Sequence, residues 1–177
     1  VVIESFFTLL LISGIYISSR DPQILTISIL IAVLSSVIIW FNFFINSNYL
    51  LITGLILQVI FFLITTFSII SHVLSFEKVN ANAIYGAISS YLLLAIIWAI
   101  IYTALELAMP DSFQFPHVFF HNNALLASHR FYFSQFLYFS FVTITTLGYG
   151  DIVPLSLEAR GFASIETVIG QLYVAIL

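Results

Sequence analysis

T-T-L-G-Y-G-D, residues 145–151, is out of place in a chain as apolar as this one. Two glycines bracket a tyrosine, threonines stand before them and an aspartate after. Such a stretch neither crosses a bilayer as regular helix nor packs as an ordinary apolar core. Its surroundings decide what it is for.

Those surroundings are membrane. Of the 177 residues, 62% are hydrophobic and only 7% are charged, where soluble domains carry about 25% charged residues. No charged residue occurs from Pro22 to Phe76, a run far longer than the ~20 apolar residues that cross a bilayer once. The composition implies a polytopic, all-α membrane protein. The net charge of −4 is thinly spread and points neither to nucleic acid nor to a strongly anionic lipid surface. With no cysteine, disulfides and thiolate metal sites are excluded.

Hydropathy and turn residues divide the chain into segments. Apolar stretches run from about Val1 to Ser18, Ile24 to Ile45, Tyr49 to Leu74 and Ala83 to Leu105. Arg20-Asp21-Pro22, Asn46-Ser47-Asn48, Glu77-Lys78, and Glu106 with Pro110 close them in turn. Each is long enough to span as a helix, which satisfies its own backbone hydrogen bonds in lipid. Residues 111–130 are polar and read as an aqueous loop. Phe131 to Thr145 is apolar but only about 15 residues long, too short to span and suited to a re-entrant segment. A last helix begins near Leu157 and runs to Leu177. Arg20 and Lys78 fall on one side, which the positive-inside rule makes cytoplasmic and which leaves the 111–130 loop outside.

Spanning helix, polar loop, short helix, glycine-rich turn, spanning helix is the order a pore loop needs. Non-helical backbone at membrane depth is tolerated only where it is buried in protein or lines water. A selectivity filter is such a place, because carbonyl oxygens there replace the water shell of an ion. Aiming successive carbonyls at one axis needs backbone that alternates between ordinary and left-handed dihedrals. Gly148 and Gly150 permit positive φ at little steric cost. Thr146 offers a carbonyl and a hydroxyl at the inner end. Leu147 and Tyr149 are expected to point away from the axis, and Asp151 to stand at the outer mouth.

Residues 143–154, TITTLGYGDIVP, resemble the pore of tetrameric potassium channels, whose hallmark is T-x-G-Y-G-D. The likeness extends more loosely from Ala83 to Leu177. It implies a pore domain over 79–177 (outer helix, re-entrant helix, filter, inner helix) behind an N-terminal helical region over 1–78. It implies a homotetramer around one axis, potassium as the permeant ion, no cofactor and no enzymatic activity. Lipid would be the other partner and the cell membrane the location. Potassium would be coordinated at Thr146, Leu147, Gly148 and Tyr149, with Gly150 completing the filter. Thr143, Thr145 and Asp151 would support it. By the same likeness Arg160 occupies a common basic position, Gly170 a hinge glycine, and Gln171 and Val174 the cavity wall. Close helix packing is the alternative reading of Gly170. Tyr138 and Phe139 stand where many members have a tryptophan pair, so the partner that holds Asp151 is open. Val142 stands where some have a glutamate behind the filter.

Glu166 is the one acid inside the inner helix, and an acid there is a functional candidate whose partner must be found. It lies five residues before Gln171, about 140° around a helix. With Gln171 on the cavity, Glu166 faces the pore helix or a neighbouring subunit, where it is expected to bond pore-helix groups such as Thr143 or Thr145 and support the filter. The alternative is an acid that reaches water at the outer surface.

The third apolar segment carries no arginine or lysine, and a voltage sensor needs several charges at about 2.3 kcal/mol each per 100 mV. The first three helices therefore read as an assembly collar, with ligand sensing as the alternative. A six-helix channel would have one more helix ahead of Val1, or else this N-terminus lies outside. His117, His121 and His129 read as solvated loop residues, with pH sensing or a zinc site as alternatives. A less selective cation channel, a transporter and a membrane scaffold remain the competing functions.

Overall fold

The computed structural model describes residues 22–45, 47–75, 80–116 and 129–176. The first apolar stretch, Arg20, Lys78, His117 and His121 lie outside the described residues. Of His129 only the backbone position, at the start of a helix, is described.

The chain divides into two compact units, 1–94 and 95–177. In the first, helix α1 (Pro22–Ile45) and helix α2 (Asn48–Leu74) pack together as a hairpin. Proline suits the first position of α1, where its missing N–H has no partner to lose. The turn that follows is held by Asn42, whose Oδ1 accepts the Ser47 N–H at 2.9 Å. Gly54 lets the two helices close up, since a Cβ there would stand 2.7 Å from Ile39 Cγ1. Helix α3 (Ala81–Ala108) begins in the same unit. Asn80 caps it, its Oδ1 accepting the Ala83 N–H at 2.8 Å, the usual remedy for orphan donors at a helix start.

Helix α3 continues into the second unit and ends before Pro110. A tight turn follows, with Asp111 at φ 65°. The buried Glu106 holds that turn by accepting the N–H groups of Asp111 at 3.0 Å and Phe113 at 3.2 Å. The chain then forms strand β1 (Phe113–Gln114), helix α4 (His129–Ile144), strand β2 (Val153–Pro154) and helix α5 (Leu157–Ile176). β1 and β2 pair antiparallel, Phe113 with Pro154 and Gln114 with Val153. Ser112 extends the clasp, its carbonyl accepting the Leu155 N–H at 2.8 Å. Among the described residues the architecture is all-α apart from this short ribbon, which the sequence did not suggest.

Among the described residues, α2 and α3 are long and apolar enough to cross a membrane. The apolar parts of α1 and α4, Thr26–Asn42 and Phe131–Ile144, are shorter. α5 has 20 residues and carries Glu158, Arg160 and Glu166.

Candidate functional site

Helix α4 is anchored by rings. Tyr102 of α3 meets Phe113, Phe136 and Phe139 with centroids 5.4, 5.9 and 5.2 Å away. Phe113 closes the cluster on Phe136 at 4.6 Å. Each such pair adds about 0.5–1.5 kcal/mol beyond the area it buries. Phe139, at one of the two positions expected to hold tryptophan, thus serves as a packing ring.

The end of α4 sets the entry to residues 146–150. The Leu147 N–H reaches the Val142 carbonyl at 2.9 Å, and the Thr146 N–H reaches the Thr143 carbonyl at 2.9 Å. This is a Schellman closure, in which the residue past the cap is left-handed and is usually glycine. Here it is Thr146, at φ 59°. A threonine in that region costs about 1–3 kcal/mol, which the surrounding bonds must hold in place. Gly148 at φ 61° and Gly150 at φ 74° follow, so left-handed backbone falls on every second residue. The two glycines were legible as such positions. Thr146 was not, because a β-branched residue argues against left-handed backbone.

Thr145 closes its own helix, its hydroxyl donating to the Phe141 carbonyl at 2.6 Å. The Thr146 hydroxyl donates to the Thr145 carbonyl at 2.6 Å. Leu147 and Tyr149 are exposed within a single chain. Tyr138 answers how Asp151 is held: its hydroxyl donates to Asp151 Oδ2 at 2.7 Å. Its ring lies parallel to that of Tyr149, with centroids 6.5 Å apart. The bond to Asp151 pushes the Tyr138 phenol above its ordinary range, so it stays a donor through neutral pH. Asp151 Oδ1 accepts the Ile152 N–H at 3.1 Å.

Glu166 is fully buried, which disposes of an acid reaching water within this unit. Its partners differ from those expected. Tyr102 donates to Oε2 at 2.5 Å, and Ser140 stands in hydrogen-bonding contact with Oε1. Thr143 and Thr145 do not meet it. Thr143 lies in the last turn of α4 and Thr145 just past its end, whereas Ser140 lies one turn earlier, at the level of Glu166. The pore helix was the expected neighbour and Ser140 belongs to it; the particular residues Ser140 and Tyr102 were not foreseeable, since helical angle says where a side chain points and not what waits there.

Gly170 faces the Ile144 carbonyl so closely that a Cβ would stand 2.5 Å from its oxygen. Close packing of α5 on the end of α4 is therefore reason enough for this glycine. Gln171 and Val174 are exposed along α5. Arg160 donates from Nε to the Pro154 carbonyl at 3.2 Å, tying the start of α5 to the ribbon. No group of three or more potential metal ligands forms among the described residues.

A family model described as an ion channel matches residues 90–177. The match takes in most of α3, the ribbon, α4, the 145–151 stretch and α5. No curated protein and no solved structure matches the chain. This half of the chain is similar to ion channels. Among the described residues, two helices of membrane-spanning length accompany that similarity.

Proposed function

We propose that the chain is one subunit of a homotetrameric, potassium-selective channel. The carrying observation is the left-handed backbone at Thr146, Gly148 and Gly150, alternating through the stretch that resembles a potassium filter. Carbonyls of Thr146, Leu147, Gly148 and Tyr149, with Gly150 beyond them, replace the hydration shell of potassium, four chains contributing to each ring. One chain supplies one filter strand. The exposure of residues 145–151 within a single chain fits a shared axis.

Thr143 and Thr145 end the pore helix, Asp151 fastens the outer mouth through Tyr138, and Glu166 supports the filter from behind. Gln171 and Val174, three residues apart on one helical face, line the water-filled cavity. Gly170 seats the inner helix on the pore helix and serves as its bending point. The pore domain is 79–177, behind the helices of 1–78. Helix α2 lacks arginine and lysine, so voltage does not gate this channel through it. Passive conduction across the cell membrane is not an enzymatic reaction and uses no cofactor.

Potassium flux from purified protein in liposomes, with barium as blocker and sodium as competitor, tests the reading. Barium-sensitive flux that favours potassium is expected. Equal sodium flux would make it a less selective cation channel, slow saturable flux a transporter, and no flux a scaffold.

A further inference from the structure

Glu166 lies where three helices meet, and counting its protons says in which form it works there. Tyr102 comes from α3, Ser140 from α4 and Glu166 from α5, and all three side chains have no exposure. Tyr102 has one hydrogen to give, and Glu166 Oε2 takes it at 2.5 Å. Ser140 also has only one hydrogen, yet its Oγ stands within bonding reach of two acceptors. One is the Ala95 carbonyl at 2.8 Å, the other Glu166 Oε1. A carbonyl cannot donate. If Glu166 were ionised it could not donate either, and one of the two contacts would press bare oxygens together. Among the described residues, no ammonium or guanidinium reaches the carboxyl to offset a buried charge. A buried unpaired carboxylate is costly.

We propose that Glu166 works as a neutral carboxylic acid, the middle of a directed chain that positions the pore helix. The hydrogens then run one way: Tyr102 O–H to Glu166 Oε2, Glu166 Oε1–H to Ser140 Oγ, Ser140 O–H to the Ala95 carbonyl. Every oxygen is satisfied and no charge is buried. The chain pins the middle of α4 to both long helices of its own unit. A shift of α5 therefore reaches the helix that carries the filter. Glu166 is a positioning residue and touches no ion. Its effect on conduction rests on the pore reading above, whereas its protonation does not.

Glutamine tests both halves. Its amide N–H₂ can donate to Ser140 while its oxygen accepts from Tyr102, so Glu166→Gln preserves the chain without an acidic proton. Infrared spectra of the full chain at neutral pH should contain the carbonyl stretch of a protonated carboxylic acid, shifted by deuterium and absent from Glu166→Gln. No such band in the wild type would overturn the neutral acid, whatever the flux assay reports. In single-channel records, Glu166→Gln should keep open-burst length within about twofold of wild type. Glu166→Ala and the milder Ser140→Ala should each shorten it several-fold. Wild-type bursts in both alanine variants would remove the positioning role. Absence of potassium current in the wild type would defeat the pore reading and leave the infrared result standing.

Discussion

Replacing Gly170 by alanine separates the two uses of that glycine. The new Cβ would stand 2.5 Å from the Ile144 oxygen, 2.6 Å from Ile144 Cγ1 and 3.3 Å from the Ile144 carbonyl carbon. The side-chain atom can turn aside. The oxygen cannot, because it belongs to the last turn of α4. An ordinary carbon–oxygen contact of about 3.3 Å needs roughly 0.8 Å of separation between the helices (3.3 − 2.5). Overpacking of this kind costs about 1–3 kcal/mol, against which alanine returns about 1 kcal/mol of helix propensity. The net expectation is a loss of about 0–2 kcal/mol. Gly161 on the same helix is the internal control, since a Cβ there meets nothing within 4 Å, and Gly161→Ala should gain up to about 1 kcal/mol. Thermal unfolding in detergent should place Gly170→Ala below Gly161→Ala. Potassium flux from the same preparations should fall in Gly170→Ala alone, because Ile144 lies two residues before Thr146. A hinge without a packing role would leave Tm at or above wild type and change only opening. Equal Tm and equal flux in the two variants would refute the packing argument.

Other outcomes can be checked on the same footing. At Gly148 and Gly150 a Cβ meets nothing within 4 Å, so alanine acts through the left-handed φ alone, at roughly 1–3 kcal/mol each; selectivity for potassium over sodium should be lost while tetramers still form on a native gel. Tyr138→Phe removes the donor to Asp151 and should hasten the decay of potassium current during sustained opening, with the ring stacking kept. Gln171→Cys and Val174→Cys should react with water-soluble thiol reagents in the conducting protein, and the absence of natural cysteine leaves no background; failure of both to react would move the cavity face elsewhere on α5.

Helix positions were largely legible because their punctuation is chemical. Pro22 and Ser47 open helices, Pro110 follows the end of one, and the long apolar runs between them have few other ways to satisfy backbone in lipid. The expected segments Ile24–Ile45, Tyr49–Leu74 and Ala83–Leu105 fall within α1, α2 and α3. The start of the last helix at Leu157 also agrees. What escaped were contacts between residues far apart in sequence. The ribbon is two residues long on each side, too short for any periodicity to betray it. Tyr138 stood out by position, but its bond to Asp151 depends on how the turn between them folds back. Glu166 was conspicuous as an acid in an apolar helix. Its partners Tyr102 and Ser140 are ordinary residues in their own helices, and only the meeting of three elements makes them anything else. Thr146 escaped for the opposite reason: its own preference points away from the backbone it adopts.

The ribbon of β1 and β2 fastens the chain just ahead of and just behind the run that holds α4 and the glycine turn, and the rings of Tyr102 and Phe113 grip α4 itself. Because Phe113 and Gln114 pair with Pro154 and Val153, the two ends of that run are held at one place, so the glycine turn belongs to a closed circuit of chain rather than to an open excursion from it.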